Sequence, residues 1–514
     1  MLVGENNAGK SNIVRALNLM LGQYSPGYHE PEDHEFFGRD PTSSTSISVF
    51  FDDADTLGGK WSEIHWTCDN GNVSFRGVCP WNVKLSFVSN EDRDNCACML
   101  IEADRNLRYQ LGYSSKYTLM SRMMRRFHKL MSENEDIKAG LEKLFESTKA
   151  EFHKLPEFKE FVTALQAELE NLVGSMTHKL EVDFEAYNPA NFFQALQMQA
   201  SEAGEVRTLE EMGTGEQQVL AMAFANAYAK SFHTGVLLVI EEPEAHLHPL
   251  AQKWLAARIG QMCADGLQVV MTTHNAAFID VLNIEGLVLV TKDEDGTDVT
   301  QLDREQLVAH CIATGAPAGK IDADNVLPFY LANASREILE GFFAKVVVLV
   351  EGPSEALSLP IYLDRVGLET AKDGVAVIAV HGKGNLAKWR RLFTAYYIPC
   401  YVIFDNDGEA DDKKGVKRRD ALRAVGITEK ADQDSWLGTD DVFVGEEVTV
   451  FGSNFEVGLR SVFPKYEELE SKGRNEGVDS KPFLARYVAE TLTLDNATGW
   501  KKMKELAKAI RELA

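Results

Sequence analysis

Short apolar runs and longer amphipathic stretches alternate along the second half of the chain. Five runs have the length and composition of buried strands, at residues 236–240, 267–272, 346–350, 375–380 and 401–404. Between them, apolar positions recur every three or four residues, as on one face of a helix. Such alternation is typical of parallel sheets with helices on both faces. The pattern predicts an α/β fold in which one sheet precedes a helical connector in the chain and another sheet follows it.

The first half of the chain carries two other patterns. Residues 45–100 are rich in Val, Phe, Trp and Thr between turn signals, which indicates strands. From 116 to 176 the pattern is helical, and we interpret this stretch as a dimerisation arm or as a helical subdomain without a partner. Its apolar face contains Phe158, Phe161, Leu165, Leu169 and Leu172. The predicted domain order is a first ATPase part at 1–100, the helical insertion at 101–180, a second ATPase part at 181–300, the connector at 301–340 and a last domain at 341–514.

Composition restricts the class of protein. The chain has 514 residues, a net charge of −25 and seven cysteines. No apolar run approaches the roughly 18 residues of a membrane span, and the start lacks the segments of a signal peptide. An odd number of widely spaced cysteines favours a reducing compartment, so we expect a cytoplasmic protein without a membrane. Zinc at Cys68, Cys79, Cys96 and Cys98 is the less favoured alternative, because the CxxC spacing is missing.

Three local basic strips interrupt the acidic composition. The acidic net charge argues against a protein that coats nucleic acid by charge alone. Each strip is either a DNA-contacting surface or an ordinary solvated helix face. The strips contain Arg122, Arg125, Arg126 and Lys129; Lys388, Arg390 and Arg391; and Lys413, Lys414, Lys417, Arg418 and Arg419.

Residues 4–11, GENNAGKS, match the phosphate-binding pattern GxxxxGK[ST] without a gap. Glycines in such a loop let backbone N–H groups face the phosphates, while Lys10 reaches the β- and γ-phosphates and Ser11 binds Mg²⁺. Only three residues precede the loop, so we expect its usual anchoring strand to be almost absent. The predicted nucleotide-binding residues here are Gly4, Asn7, Gly9, Lys10, Ser11 and Asn12.

A second part of the nucleotide site lies far downstream. The run 236–240 is followed by Glu241 and Glu242. We expect Glu241 to hold the Mg²⁺ shell and Glu242 to polarise the attacking water. The run 267–272 is followed shortly by His274, which we expect to contact the γ-phosphate. Together with the loop, these residues predict a site for ATP with Mg²⁺.

Residues 211–218, EMGTGEQQ, open an Ala-rich helix and resemble the signature motif of ABC-type ATPases of the SMC and RecF kind. In that architecture the signature of one subunit contacts the ATP of another, so the resemblance implies a homodimer or a higher homo-oligomer. Thr214 and Gly215 are the matching positions, and Gly213 stands where a serine is usual. The resemblance covers about residues 1–300, interrupted by the helical insertion.

Two strand ends in the last domain carry paired carboxylates. Glu351 follows an apolar strand, and Glu355 lies about one turn into the next helix. Asp405 and Asp407 follow another strand at a spacing that points both the same way. The carboxyl ends of parallel strands meet in the crevice where α/β sheets bind ligands. Four carboxylates there need cations, and their hard oxygen atoms suit a two-metal site of Mg²⁺ or Mn²⁺ for phosphodiester hydrolysis.

The pattern EGxxE followed by DxD resembles a Toprim domain, and two later segments, SNFE at 453–456 and KP at 481–482, resemble the OLD nucleases. The resemblance implies that Glu456 is a fifth metal ligand and that Lys481 stabilises transition-state charge. Glu446 and Glu447 are alternatives for the fifth position. The segment HGKGN at 381–385 either approaches a DNA phosphate through its glycines or forms a plain turn.

Both halves together resemble the OLD family, in which an ABC-type (SMC/RecF-like) P-loop ATPase with a helical insertion precedes a C-terminal Toprim α/β domain. The resemblance implies an ATP-binding, divalent-metal-dependent DNA endonuclease or nickase in phage defence or DNA processing. It implies DNA as a partner and, for some members, a UvrD-like helicase. The alternative is an ATP-dependent DNA clamp of the RecF/SMC kind without nuclease activity, against which the Toprim carboxylates count.

Overall fold

A computed structural model describes residues 1–22, 24–52, 60–89, 92–93, 96–102, 119–152, 154–161, 163–164, 199–202, 205–208, 211, 213–232, 235–245, 247–294, 296–408, 412–439 and 441–513. The chain forms two compact units. Unit 1 contains residues 1–15, 240–261 and 269–514, and unit 2 contains residues 16–239 and 262–268. The end of the predicted helical insertion, with Leu165, Leu169 and Leu172, lies outside the described residues.

The five predicted apolar runs all coincide with strands. In chain order the strands are β1 Leu2–Val3, β2 Thr45–Phe50, β3 Glu63–Asp69, β4 Asn72–Cys79, β5 Asn82–Ser86, β6 Cys96–Ile101, β7 Gln199–Glu202, β8 Glu205–Thr208, β9 Gly235–Glu241, β10 Gln268–Thr272, β11 Val288–Lys292, β12 Thr297–Gln301, β13 Val346–Val350, β14 Val375–Ala379, β15 Cys400–Asp405, β16 Val442–Val444 and β17 Val448–Phe451. The α-helices are Lys10–Leu21, Leu119–Glu133, Glu135–Phe152, Thr214–Phe232, Pro249–Ala264, Arg304–Ala313, Val326–Asn333, Arg336–Leu339, Pro353–Arg365, Lys383–Ala395, Val416–Ala424, Lys430–Leu437, Phe455–Val462, Tyr466–Asn475, Lys481–Thr491 and Thr498–Glu512.

Unit 1 begins with a very short strand that lies between two others. Strands β12, β11, β1 and β10 are neighbours in this order. β1 is parallel to β10 and to β11, and Leu2 lies opposite both Thr272 and Val288. Both residues of β1 are buried. The strand before the phosphate-binding loop is thus two residues long and is paired on both sides.

Unit 2 contains the predicted strands and helices of the first half of the chain. Strands β2, β3, β4 and β5 form an antiparallel sheet in sequence order. Trp66 is buried in this unit, and its Nε1 donates a hydrogen bond to the main-chain oxygen of Pro26 at 2.9 Å. Arg93 is also buried and donates to the main-chain oxygens of Met20 and Gly22. A buried guanidinium is thus satisfied by main-chain acceptors, as burial of a charged group requires.

The last domain, also in unit 1, is a five-stranded sheet in the order β14, β13, β15, β17, β16. The first four strands are parallel, and β16 is antiparallel at the edge. All five residues of β13 are buried. Val347 and Leu349 pack into one apolar core, and Val346, Val348 and Val350 pack into another. Helices therefore cover both faces, and the carboxyl ends of β13 and β15 lie side by side.

The described residues also bear on membrane-spanning helices and disulfide bonds. No helix there is long and apolar enough to cross a membrane. No disulfide bond joins the cysteines, all seven of which lie in the described part of the chain.

Candidate functional site

The phosphate-binding loop owes its shape to two glycines. Gly4 has φ 137°, and a Cβ atom there would lie 2.1 Å from the main-chain oxygen of Val290. Gly9 has φ 109°, and a Cβ atom there would lie 2.4 Å from Thr297 Oγ1. The loop runs so close to β11 and to the start of β12 that neither position accommodates a side chain, and glycine is required at both.

Lys10 begins the helix that follows the loop, and its amine points back toward the loop. Its Nζ donates hydrogen bonds to the main-chain oxygens of Gly4 at 2.9 Å and Glu5 at 2.7 Å. The residue is only 6% exposed. Burial lowers the pKa of this amine, while the charges of Glu242 and Glu5 oppose the shift. The lysine is thus held by main-chain oxygens at the position predicted for phosphate binding.

The remaining loop residues differ in their surroundings. Ser11, Asn12 and Asn7 are exposed, and Asn7 has φ 65°. Thr297 Oγ1 donates a hydrogen bond to the main-chain oxygen of Ala8 at 2.9 Å. Sequence reasoning missed Thr297, because a polar hairpin sequence does not report which loop it contacts.

Glu242 and His274 lie near Lys10, at the ends of neighbouring strands. Glu242 N donates to the main-chain oxygen of Thr272 at 3.0 Å. His274 Nε2 lies 3.9 Å from Glu242 Oε1. Burial and the charge of Lys10 lower the pKa of His274, and the charges of Glu242 and Glu244 oppose this shift. Its surroundings therefore favour the neutral imidazole beside the predicted catalytic carboxylate.

Glu244 is a further carboxylate of this site that sequence reasoning did not assign. Its Oε1 accepts hydrogen bonds from Thr273 Oγ1 and from His274 N, both at 2.8 Å. Its Oε2 is buried and has no hydrogen-bond partner among the described residues. Glu244 therefore fixes the backbone that carries His274. In the sequence, only its position two residues after Glu242 indicates a role at this site. Its hydrogen-bond partner, His274 N, lies 30 positions away, so the contact could not be predicted from the sequence.

Of three further residues predicted for the nucleotide site, one lies in unit 1 and two lie in unit 2. Glu241 is the last residue of β9, is half-buried and belongs to unit 1. Thr214 and Gly215 begin the helix Thr214–Phe232 in unit 2. The start of that helix is capped, because Gly213 N donates to Glu216 Oε2 at 2.8 Å.

Four predicted metal ligands lie at the carboxyl ends of β13 and β15. Glu351 directly follows β13, and its Oε1 accepts a hydrogen bond from Asp405 N at 2.7 Å. Glu355 lies in the first turn of the next helix and is only 7% exposed. Asp405 ends β15, and Asp407 follows two residues later. Parallel pairing of the two strands thus joins residues 54 positions apart. We call these four residues, together with Glu456, the carboxylate cluster.

Burial and mutual repulsion favour the protonated forms of three members of the cluster. Burial, together with the charges of Glu351 and Asp407, raises the pKa of Asp405 to about 8. Burial also raises the pKa of Glu351 and that of Glu355 to about 7. Carboxylates gathered in this way are unstable without positive charge nearby.

Lys383 supplies positive charge inside the carboxylate cluster. Its side chain is fully buried, its Nζ donates to Asp407 Oδ1 at 2.5 Å, and its Nζ lies 3.6 Å from Glu351 Oε1. Lys383 begins the helix that follows β14. Sequence reasoning considered the glycines of this segment and missed the lysine. The available signal was a lysine just after a strand of the same sheet.

Glu456 and Lys481 form a second ion pair beside the first four carboxylates. Glu456 Oε2 lies 3.0 Å from Lys481 Nζ, and the lysine side chain is 69% exposed. The other oxygen, Glu456 Oε1, is buried and has no hydrogen-bond partner among the described residues. Burial lowers the pKa of Lys481, but the hydrogen bond to Glu456 and the charges of Glu355 and Asp405 raise it above its ordinary value.

The alternative fifth positions lie elsewhere. Glu447 pairs with Arg390 at 2.6 Å and precedes β17. Its main-chain oxygen accepts from Val402 N, near the start of β15. Because β15 and β17 are parallel, Glu446 and Glu447 lie at the end of the sheet opposite Asp405. The position beside Lys481 belongs to Glu456.

The donor set of the cluster fits a divalent cation by its chemistry. Buried carboxylates with raised pKa values and the unsatisfied Glu456 Oε1 favour a nearby positive charge. Within the described residues, however, no three Asp, Glu, His or Cys side chains are arranged as a ligand set for one ion. The carboxylates are directed instead toward Lys383, Lys481 and main-chain groups.

The two arginines of the second basic strip form neither a DNA surface nor a solvated helix face, which corrects both alternatives for these residues. Arg390 and Arg391 are buried. Arg390 pairs with Glu447 at 2.6 Å, and Arg391 pairs with Asp420 at 2.8 Å. Lys388 lies over the ring of Phe329, 3.9 Å from its centroid. These contacts hold the helix Lys383–Ala395 in the domain.

The third strip divides into held and exposed residues. Arg418 pairs with the buried Asp412 at 3.1 Å, and Arg419 pairs with Asp434 at 2.5 Å. Lys413 and Lys414 are exposed just before the helix Val416–Ala424. In the first strip, the side chains of Arg122, Arg125 and Arg126 lie outside the described part of the structure.

Comparison with known protein families identifies both halves of the chain. A model of the AAA ATPase domain matches residues 90–279. A model of the Toprim domain of proteins like the overcoming lysogenization defect (OLD) protein matches residues 342–407. The second match contains Glu351, Glu355, Asp405 and Asp407. The chain is therefore similar to an AAA ATPase domain over residues 90–279 and to an OLD-like Toprim domain over residues 342–407.

Individual relatives extend this similarity. The chain is 25% identical over 541 aligned residues to the OLD nuclease of Thermus scotoductus, covering 100% of this chain and 94% of that protein. It is 26% identical over 217 residues to endonuclease GajA of Bacillus cereus, covering 39% of this chain and 31% of that protein. The solved C-terminal region of the Burkholderia pseudomallei OLD protein is 20% identical, with 34% of this chain and all of that chain covered and a TM-score of 0.27. The two family models and the full-length relative confirm the resemblance to the OLD family and the predicted order of an ATPase domain before a Toprim domain.

Proposed function

We propose that this chain is an ATP-binding, divalent-metal-dependent DNA endonuclease. The observation that carries the proposal is the convergence of Glu351, Glu355 and Asp405 beside the Glu456–Lys481 pair. The first three residues lie in the segment that matches an OLD-like Toprim domain. Hard oxygen donors of this kind suit Mg²⁺ or Mn²⁺, and two such ions activate water and neutralise developing charge when they are bound. The substrate is a DNA phosphodiester.

The residues of the chain have separate roles in this proposal. Glu351, Glu355, Asp405, Asp407 and Glu456 hold the metal ions. Lys481 stabilises the charge that develops on the phosphate, since its side chain is largely exposed while Glu456 orients its amine.

ATP with Mg²⁺ regulates the nuclease from the P-loop site. Lys10 and Ser11 bind the phosphates and the metal, Glu241 supports the metal shell, and Glu242 polarises the attacking water beside His274. Thr214 and Gly215 contact the ATP of a second subunit in a homodimer. The resemblance to the OLD family also supports a role in phage defence or DNA processing. It supports a UvrD-like helicase as a partner.

The test is cleavage of supercoiled plasmid with Mg²⁺ or Mn²⁺, with and without ATP. Wild type is compared with Asp405→Asn, with Lys10→Ala and with the matched control Asp432→Asn. Asp432 is an exposed aspartate on a helix of the same domain. We expect nicking or linearisation by wild type and by the control, and none by Asp405→Asn. The Lys10→Ala variant measures how far ATP controls cleavage.

Two results would contradict the proposal. Cleavage by Asp405→Asn equal to that of the control would place the nuclease activity outside the cluster. A wild-type protein that binds DNA but leaves it intact with every metal and nucleotide would favour the ATP-dependent DNA clamp.

A further inference from the structure

The carboxylate cluster contains a fully buried ammonium group. Lys383 Nζ donates to Asp407 Oδ1 at 2.5 Å and to the main-chain oxygen of Asp407 at 3.2 Å. The same atom lies 3.6 Å from Glu351 Oε1, and the side chain has 0% exposure. Burying an ammonium group is costly unless anionic partners compensate it, so these contacts determine where the side chain lies.

A main-chain hydrogen bond brings the residue before Lys383 next to Glu351, at the carboxyl end of β13. Gly382 N donates to the main-chain oxygen of Glu351 at 2.9 Å. Gly382 has φ 125°, so the chain turns there in a conformation that favours glycine, and the helix begins at the next residue. Lys383 therefore enters the cluster from β14, a strand that supplies none of the predicted metal ligands.

The two carboxylates that Lys383 contacts come from different strand ends. Glu351 follows β13, and Asp407 follows β15. An ammonium group and a divalent metal ion use the same carboxylate oxygen atoms as partners. Two cations so close together also repel each other. Lysine and metal thus compete for Glu351 and Asp407.

We propose that Lys383 is an internal counterion of the metal site, which holds Glu351 and Asp407 in the metal-free protein and is displaced from them when a divalent ion binds. The inference rests on the proposed function only in placing the metal at the carboxylate cluster. Lys383 is a positioning residue that sets the metal affinity and stabilises the empty site.

The test measures Mn²⁺ binding and thermal unfolding of the full chain without nucleotide. Lys383→Met removes the charge and keeps an apolar side chain of similar length. We expect its melting temperature in EDTA to fall by at least about 5 °C, since the loss of one partner leaves buried carboxylates uncompensated. We expect its Mn²⁺ dissociation constant to fall about tenfold, since a competing cation is gone. Saturating Mn²⁺ is expected to restore the melting temperature of wild type.

Two variants serve as controls. Lys383→Arg keeps the charge and is expected to bind Mn²⁺ no more tightly than wild type. Lys388→Met removes an exposed lysine from the same helix. The Lys388 side chain lies over the ring of Phe329 and away from the carboxylates. It is expected to leave the Mn²⁺ affinity unchanged.

Three outcomes overturn the inference. They are weaker or unchanged Mn²⁺ binding by Lys383→Met, an unchanged melting temperature in EDTA, and a Lys383→Met chain that stays unfolded even with Mn²⁺. The last would show that packing rather than charge is what Lys383 supplies. A wild type that binds Mn²⁺ but does not cut DNA contradicts the proposed function and leaves the inference standing. If wild type cuts DNA but Lys383→Met binds Mn²⁺ with the affinity of wild type, the proposed function stands and the inference about Lys383 is wrong.

Discussion

The phosphate-binding loop is shaped by main-chain groups, whereas the carboxylate cluster is assembled from side chains. The loop is contiguous at 4–11, and Gly4 and Gly9 bring it against its neighbours. The cluster draws on segments between residues 351 and 456, and Lys383 and Lys481 balance its charge. The difference predicts opposite sensitivities. An added methyl group should damage the loop most, and a removed or altered charge should damage the cluster most.

The largest expected effect is that of one methyl group at Gly4. In Gly4→Ala the new Cβ atom would lie 2.1 Å from the main-chain oxygen of Val290, at a φ of 137° that other residues rarely adopt. We expect at least about a 100-fold loss of ATP affinity and about 3 kcal/mol less stability in unit 1. Nucleotide titration and chemical unfolding measure the two effects.

The control for this change is Gly426→Ala. Gly426 has φ 85°, but nothing lies within 4 Å of the position of its Cβ atom. It therefore isolates the cost of positive φ, about 1 kcal/mol, from the cost of close approach. Equal losses of stability in the two variants would mean that crowding against β11 does not shape the loop.

Removal of the exposed charge at Lys481 is expected to have the next largest effect. Lys481→Met should lower the cleavage rate about 100-fold, because a positioned cation near the phosphate is lost. Its Mn²⁺ affinity should change by less than about threefold, since the side chain is largely exposed and its charge is screened by solvent. Measuring both in parallel separates the role of Lys481 from that of Lys383.

Lys472→Met is the matched control for Lys481. Lys472 is another exposed lysine of the last domain, and its Nζ lies 3.8 Å from Glu476 Oε1. We expect it to cleave DNA as wild type does. If Lys481→Met instead lost Mn²⁺ binding together with activity, Lys481 would organise the metal site rather than act on the phosphate.

The same contrast explains what was predictable from the sequence. The loop is a contiguous string, and Glu351 and Asp405 follow from the rule that parallel strands end at one edge. Lys383 and Glu244 were missed, because their partners lie 24 and 30 positions away and depend on strand order and on where a helix begins. Arg391 belongs to a basic strip in sequence but turns inward to Asp420, since a strip of charge does not reveal which face packs.

The metal-free protein should become less stable as the pH rises. The pKa of Asp405 is about 8 and those of Glu351 and Glu355 are about 7, well above the values near 4 of an unfolded chain. Folding therefore takes up protons between about pH 4 and about pH 8, and the stability present at low pH is lost as these groups ionise beside Lys383 and Lys481. We expect the free energy of unfolding to fall by at least about 2 kcal/mol over this window.

Thermal unfolding in EDTA at several pH values measures this dependence. Saturating Mn²⁺ should remove most of it, because the metal binds the ionised carboxylates. Asp405→Asn should flatten the curve in EDTA, while Asp432→Asn should leave it unchanged. Stability that rises with pH in EDTA would show that the lysines already neutralise the cluster.

The smallest expected effect concerns the one described side chain on β12 that hydrogen-bonds to the loop. Thr297→Val keeps the shape of the side chain and removes the hydroxyl that donates to the main-chain oxygen of Ala8. One neutral hydrogen bond contributes about 1 kcal/mol net, so the dissociation constant of ATP should rise about fivefold. Thr300→Val, on the same strand, controls for the loss of a hydroxyl elsewhere. If the two variants bind ATP equally well, Gly4 and Gly9 shape the loop without support from β12. A loss as large as that of Gly4→Ala would instead mean that a side chain matters as much to the loop as its backbone does, which removes the contrast with the carboxylate cluster.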